Sequence, residues 1–391
     1  MSSLAPSASD TRRADLAVDL ARRLLLAGER GLTSGERRRR DRLGRLLAGD
    51  HGRALLFELT DEVMRIAEPS RAAQRFAAIV RAHPTRALGP IDRLLVRVGA
   101  VLAPVAPKLV MPIVTRRIAA ETRGVVIPAD DPAFARHVRG RRRAGIRLNV
   151  NPLGEAILSD AEADVRLGKV LELIRRKDVD YVSVKISAVV ANLDPLAFDH
   201  SVDRISEQLR TIYRAAAATE PATFVNLDME EYGDLELSLV ACMRVLDEPE
   251  FAAIDAGIVL QAYLPDSHDA LERLGHWSVA RNERSGGRIK VRIVKGANLA
   301  MELVDAEIHG WNPAPYARKS EVDASFKALL DAALRPEWSR ALRVGVASHN
   351  LFDVGWALVL GRELDAMERI DVEMLEGMAP GQARAVLAEV G

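Results

Sequence analysis

Between Ile146 and Leu375 the chain repeats one unit, a short strand pattern followed by an amphipathic helical one, and few folds accept that repeat. Strand patterns fall at Ile146–Leu153, Tyr181–Ser187, Thr223–Met229, Gly257–Tyr263, Ile289–Lys295, Arg343–Ser348 and Ile370–Leu375. Helical patterns fill the gaps at Asp160–Arg175, Ser201–Ala218, Leu235–Leu246, Ala270–Arg281, Val322–Leu334 and Leu351–Leu364. Strands that alternate with helices lie parallel, because each helix carries the chain back to the end where the next strand begins. The number of units exceeds what an open sheet usually needs, so the alternation predicts an α/β chain with a (β/α)8 TIM-type barrel.

Residue parity says what such a barrel holds. Ser183, Lys185 and Ser187 share one face of their strand, and Val182, Val184 and Ile186 share the other. Asn226 and Asp228 oppose Val225 and Leu227; Gln261 and Tyr263 oppose Leu260 and Ala262; Arg292 opposes Val291 and Ile293. Gly345, Ala347 and His349 oppose Val344 and Val346. One apolar face suits helices outside, and one polar face suits a charged mouth inside. Strands closing on Lys, Asp, Gln, Arg and His favour a site at their carboxyl ends.

Residues 1–112 read as a helical N-terminal arm, and 113–391 as the barrel. In the arm Ala17, Leu20, Ala21, Leu24 and Leu25 form one apolar stripe, and Leu55, Leu56, Leu59, Val63 and Ile66 another. Thr33 and Glu36 have the spacing of a capping box. The run Arg37 to Arg40 reads as a solvated helical face, and with Lys+Arg and Asp+Glu both at 55 no nucleic-acid partner is expected. The single Cys242 excludes an intrachain disulfide framework and suits a reducing, cytoplasmic compartment.

The chemistry-bearing motifs are few. The His residues form no HExxH pair, Cys242 has no metal-binding partner, and no Gly-rich phosphate loop of the GxGxxG or Walker type occurs. Neither Ser267-His268 nor Ser348-His349 sits at a nucleophile elbow. What remains is a mouth with a strand Lys, Asp and Arg. A barrel Lys acts as a Schiff-base nucleophile when desolvation or nearby cations lower its pKa. Asp228 would instead favour the ammonium of Lys185, which makes that residue an anchor for an anionic substrate or cofactor.

Read together, VSVKISA (182–188), NLDMEEYGDLELSL (226–239), LQAYLPDS (260–267), VRIVKGANLAMELVDAE (291–307), ARKSEVDASFKALLD (317–331), VASHNLFD (346–353) and EMLEGMA (373–379) resemble the proline dehydrogenase family. The resemblance is nearest to the proline dehydrogenase module of the bifunctional proline-utilisation enzymes and covers roughly 130–390. It implies FAD bound noncovalently at the barrel mouth, and oxidation of L-proline to 1-pyrroline-5-carboxylate with electrons passed to a membrane quinone. An aldehyde dehydrogenase partner for the pyrroline product, and peripheral membrane contact during electron transfer, are implied in the same way. By that resemblance Lys185 and Asp228 belong to the substrate pocket, with Leu375 as its apolar wall and Glu155 nearby. Arg292 lies beside the flavin ring, Gln261 at its pyrimidine edge, and Val294, Lys295, Gly296 and Ala297 in the loop that wraps the cofactor. Arg318, Lys319 and His349 fall near the FAD phosphates, Asp228 doubles as a cofactor neighbour, and Lys185, Asp228 and Arg292 form the catalytic set.

The sequence also departs from the family pattern. Asn298-Leu299 replace an aromatic pair, and the paired Arg that grips the proline carboxylate is not found beyond Leu375, where only Arg384 occurs. The expected fold is therefore a barrel lacking its eighth strand and helix, without an aldehyde dehydrogenase module. Two other readings stay open on residues alone: a Schiff-base lyase using Lys185 or Lys295, and an inactive binding or assembly module built on the arm.

Overall fold

A computed structural model describes residues 8–391 apart from 48, 64–65, 67, 84–87, 123–131, 153–156 and 158. The chain forms two compact units, Met1–Arg23 with Pro128–Met374 and Leu24–Ile127 with Leu375–Gly391. The crossings at 23, 127 and 374 differ from the single boundary at 112 that composition suggests. Pro112 does not interrupt the chain, because it lies inside a helix that runs from Pro107 to Thr122.

Helix α1 (Ala8–Arg30) opens the chain. Helices α2 (Ser34–Leu47), α3 (Asp50–Glu58), α4 (Pro69–Ala82), α5 (Pro90–Leu102) and α6 (Pro107–Thr122) build the all-helical unit, with a π-turn at Leu59–Val63. Its core gathers Leu55, Leu59, Val63, Phe76, Ile79 and Met111. The capping box forms as expected: Thr33 Oγ1 accepts from the Glu36 amide at 3.2 Å, and the Thr33 amide donates to Glu36 Oε2 at 2.8 Å. The first half of α1 belongs to the other unit, where its Ala17–Ala21 stripe is buried.

That unit holds six parallel strands, β1 (Tyr181–Lys185), β2 (Phe224–Asp228), β3 (Ala256–Gln261), β4 (Ile289–Val294), β5 (Leu342–Ala347) and β6 (Ile370–Glu373), paired in sequence order. Helix α7 (Pro132–Arg143) and then α8 (Asp160–Ile174) precede β1. Between successive strands run α9 (Phe198–Ala217), α10 (Asp234–Leu246), α11 (Ser267–Ser285), α12 (Leu299–His309) with α13 (Lys319–Ala333), and α14 (Leu351–Glu363). Helix α15 (Pro380–Val390) follows β6 and belongs to the helical unit. The result is a half-barrel of the TIM type, as the strand–helix repeat requires.

The strand expected at Ile146–Leu153 is a correction: among the described residues of that segment only Val150 pairs, in one parallel bridge to Val182. Pro152 offers no amide to continue a ladder. The remaining strands sit where the alternation places them, each ending a residue or two earlier. After β1 the chain tightens into a 3-10 turn at Ile186–Ala188, so Ser187 leaves the strand.

The outer face of the sheet is uniform, with Val182, Val184, Val225, Leu227, Ile258, Leu260, Val291, Ile293, Val344 and Val346 all buried. Among the described residues no helix is long and apolar enough to cross a membrane. The packing of α11 depends on Gly275, where a Cβ would come within 2.3 Å of the buried Trp338 ring. Gly275→Ala is expected to cost about 1–3 kcal/mol through overpacking. Urea unfolding measures it, and an unchanged midpoint would show that Trp338 can move aside.

Candidate functional site

The inner face of the sheet collects the charges that strand parity assigns to it. Arg292, on β4, is 7% exposed and spans the interior. Its Nη1 donates to Asp228 Oδ1 at 2.6 Å and to Ser183 Oγ at 3.2 Å, and its Nη2 donates to the Tyr181 hydroxyl at 2.8 Å. The same Nη2 lies 2.7 Å from Glu373 Oε2. Burial disfavours the charge on Arg292, but Glu373 and Asp228 outweigh it and hold its pKa above the ordinary arginine value.

Asp228 closes β2 and takes donors from several elements. Ser183 and Asn226 reach its Oδ1 at 3.0 and 2.8 Å, and Asn151 reaches Oδ2 at 2.8 Å. Burial nonetheless raises its pKa, against the opposing pull of Arg292. Two glycines make room: a Cβ on Gly257 would strike Asn226 Oδ1, and one on Gly345 would strike Glu373 Oε1.

Lys185 stands at the end of β1. Its partner is Glu230, in the β2–α10 loop, and not Asp228 as expected. The reason is geometric: Lys185 and Asp228 are register neighbours, but Arg292 claims the carboxylate from across the barrel. Glu230 thus belongs to the mouth, while Glu231 beside it is exposed. Asp234, at the start of α10, has its pKa pushed up to about 7 by burial and by Glu231, Glu230 and Glu302.

The third strand ends on Gln261, which is fully buried. Its Nε2 donates to the Met229 carbonyl at 2.8 Å, and its Oε1 has no hydrogen-bond partner. Val294 closes β4, its carbonyl accepting from the Ala262 amide at 2.7 Å. Gly296 then turns the chain with φ near +135°, and a Cβ there would meet the Tyr263 ring at 2.5 Å, so only glycine lets the loop lie on that ring. Ala297 is exposed.

A second cluster lies beside that loop. Lys295 bonds Asp323 and reaches Asp353 Oδ2 at 2.9 Å, while Lys319 reaches Asp323 Oδ2 at 2.5 Å. Lys327 approaches the fully buried Asp353 at 3.3 Å. Burial works against the Lys295 charge, but these carboxylates outweigh it and raise its pKa. Arg318 is the N-cap of α13, pairs with Glu321 at 2.8 Å and is largely exposed. His349 is half-buried after β5, where burial lowers its pKa, and the cap of α14 is Asn350, whose Oδ1 accepts from the Phe352 amide at 3.0 Å.

Glu155 lies outside the described residues, and Leu375 is 65% exposed and belongs to the helical unit. Sequence reading missed Lys290, Glu373, Tyr181 and Glu230 inside the mouth and Asp323 and Asp353 beside it. The signal for two of them was present: Lys290 shares the period-two face of Arg292, and Glu373 that of Asp371.

The family model for proline dehydrogenase matches residues 134–391. The chain belongs to the proline dehydrogenase family. A family relative, the bifunctional protein PutA of Klebsiella aerogenes, is 26% identical over 204 residues, 49% of this chain and 15% of that protein. The structure of proline utilization A from Corynebacterium freiburgense matches with a TM-score of 0.67 and 46% identity, over 77% of this chain and 30% of that one. That of proline utilization A from Bdellovibrio bacteriovorus inactivated by N-propargylglycine reaches a TM-score of 0.77 at 23% identity, over 96% of this chain and 39% of the other, a likeness of fold. This proline dehydrogenase chain spans well under half the length of these relatives.

The acidic rim makes stability pH-dependent. A carboxyl whose pKa is raised on folding is penalised in its charged form, so its cost is absent below the unfolded value and grows as pH rises through the folded one. Asp234→Asn is therefore expected to match the parent near pH 4 and to be more stable above pH 7. Thermal melts across that range measure the difference, and a gap of equal size at both ends would rule out the titration of Asp234.

Proposed function

We propose that this chain binds FAD noncovalently at the carboxyl ends of its strands and oxidises L-proline to 1-pyrroline-5-carboxylate, with electrons passing to a membrane quinone. The observation that carries the reading is the inner row of Lys185, Asp228 and Arg292, a fixed cation flanked by an anion anchor at the mouth of a proline dehydrogenase barrel. The residues present fit the cofactor. Gln261 keeps a buried acceptor, Oε1, with no donor of its own, which suits the N–H edge of a flavin. Arg318 and Lys319 are exposed cations at the N-terminus of α13, where an anionic diphosphate is favoured.

FAD, when bound, would supply the two-electron acceptor for the hydrogen on the proline carbon next to nitrogen. Gln261 would hold its pyrimidine edge, the Val294–Ala297 loop its flank, and Lys295, Arg318, Lys319 and His349 its phosphate-bearing arm. Arg292 presents a buried guanidinium paired with Asp228, and a preorganised cation stabilises developing negative charge without reorganising. Lys185 gives one N–H to Glu230 and keeps two for the proline carboxylate. Asp228 pairs with Arg292 from the carboxyl end of β2. An aldehyde dehydrogenase would consume the pyrroline product.

The Schiff-base alternative loses ground on one observation. Lys295 is held charged by Asp323 and Asp353, and the amine of Lys185 is engaged in an ion pair with Glu230.

The chain reconstituted with FAD should show a flavin band near ~450 nm that bleaches when L-proline is added anaerobically. In protein shown to be folded by circular dichroism, Arg292→Met should lower kcat/KM by about 100-fold or more, the usual scale for losing one preorganised charge donor. Protein that stays colourless with FAD, or a yellow protein indifferent to proline, would overturn this function.

A further inference from the structure

Beneath Arg292 lies a second ion pair that the proposed function leaves unused. Glu373 ends β6 and is 17% exposed, while Lys290 is on β4, one inward-facing position before Arg292, and is 7% exposed. Lys290 Nζ reaches Glu373 Oε1 at 2.6 Å and Asp371 Oδ2 at 2.8 Å. The other oxygen of Glu373 takes Arg292 Nη2 at 2.7 Å, and the Tyr181 hydroxyl sits 3.4 Å from Oε1. Lys290 also lies 5.0 Å from the centre of the Tyr181 ring, so its charge is stabilised on two sides. The intervening strand, β5, contributes Gly345, where a Cβ would fall 2.6 Å from Glu373 Oε1 and 2.9 Å from Lys290 Cε. The sheet is shaped around this pair.

We propose that Glu373, charge-compensated by Lys290, is the positioning residue for Arg292, fixing both its orientation and how much positive charge it presents toward the barrel mouth. Without Glu373, Asp228 and Ser183 would hold Nη1, but Nη2 would keep only the neutral Tyr181 hydroxyl. Glu373 adds a charged acceptor there, so the planar fork is clamped by a carboxylate at each Nη atom. Asp228 already balances Arg292, so a lone second carboxylate would leave the group with an excess negative charge. Lys290 returns one positive charge to the group, so Arg292 gains a fixed geometry without being silenced. The effect on a flavin rests on the function proposed above; the effect on Arg292 does not.

Three variants separate charge from shape: Glu373→Gln, Lys290→Met and the double Lys290→Met/Glu373→Gln. In the FAD-loaded full chain the reduction potential of the flavin is read by spectroscopic titration. Glu373→Gln removes a negative charge near Arg292 and should favour the reduced, anionic cofactor about tenfold, about 30 mV upward for a two-electron couple. Lys290→Met should move it the other way, and the double variant should return it to the parent value. Shifts of one sign for both single variants, or none, would overturn the charge-setting role.

Orientation is read without flavin, from the side-chain 15N spectrum of arginine in the FAD-free chain. A slowed Nη signal, assigned to Arg292 by its loss in Arg292→Lys, should vanish in Glu373→Ala and survive in Glu373→Gln, which keeps an acceptor oxygen. Persistence in a folded Glu373→Ala would overturn the positioning role. A chain that takes up no flavin would sink the proposed function, while this spectrum would still decide whether Glu373 positions Arg292.

Discussion

Burying an arginine inside a barrel is costly unless carboxylates go in with it, and much of the inner architecture answers that requirement. Arg292 and Lys290 are taken out of water together with Asp228 and Glu373, and the partly exposed Asp371 adds a second carboxylate to Lys290. Desolvation alone costs several kcal/mol per ion, so none of these groups is stable there without the others. Removing one partner of such a pair leaves an uncompensated buried charge. Polar side chains complete the set: Ser183, Asn151 and Asn226 on Asp228, and Tyr181 between the two carboxylate systems. These interactions tie β1, β2, β4 and β6 together across the interior, so the charged layer also fixes strand order.

Glycine is where the backbone yields to that layer. Gly257 and Gly345 stand on the inward face of β3 and β5, between strands that carry long side chains. A residue with a Cβ at either position would displace Asn226 or Glu373, and with them the groups that fix Asp228 and Arg292. The alternation of large charged and absent side chains around the sheet is a packing solution, with an electrostatic site as its product. Gly296 plays a different part, since both its positive φ and the Tyr263 ring beneath it demand glycine.

Sequence periodicity made the strand faces legible because inward and outward residues alternate within one strand. Arg292 between Val291 and Ile293, and Asp228 beside Leu227, could be assigned to the interior without any tertiary information. What periodicity does not contain is who meets whom. Glu373 reaches Arg292 only because β5 separates their strands by one glycine-bearing position, and Glu230 reaches Lys185 only through the curvature of the β2–α10 loop. The Ile146–Leu153 segment failed for a related reason. Its alternation is genuine, but a ladder needs neighbours, and only Val150 finds one. The family resemblance supplied roles for Gln261, Lys295 and Lys319 that no spacing rule contains.

The two charged clusters differ in a way that matters for how each could work. Around Arg292 the ions are buried, held at several points and surrounded by protein donors, so they respond little to solvent or salt. Around Lys319 and Arg318 the cations are exposed and share carboxylates with their own helix, Asp323 and Glu321. Exposed pairs of this kind contribute about 0–1 kcal/mol and exchange partners readily. A rigid inner charge suits chemistry that must not wait for reorganisation, whereas a loosely paired outer set suits the capture and release of an anionic arm. Lys295 joins the two regimes: it leaves the strand that carries Arg292, and it ends on Asp323, the carboxylate that Lys319 also uses. An anion arriving at α13 would compete for Lys319 and so change the load on Asp323. Through that shared carboxylate the outer cluster is joined to the loop that continues directly from β4.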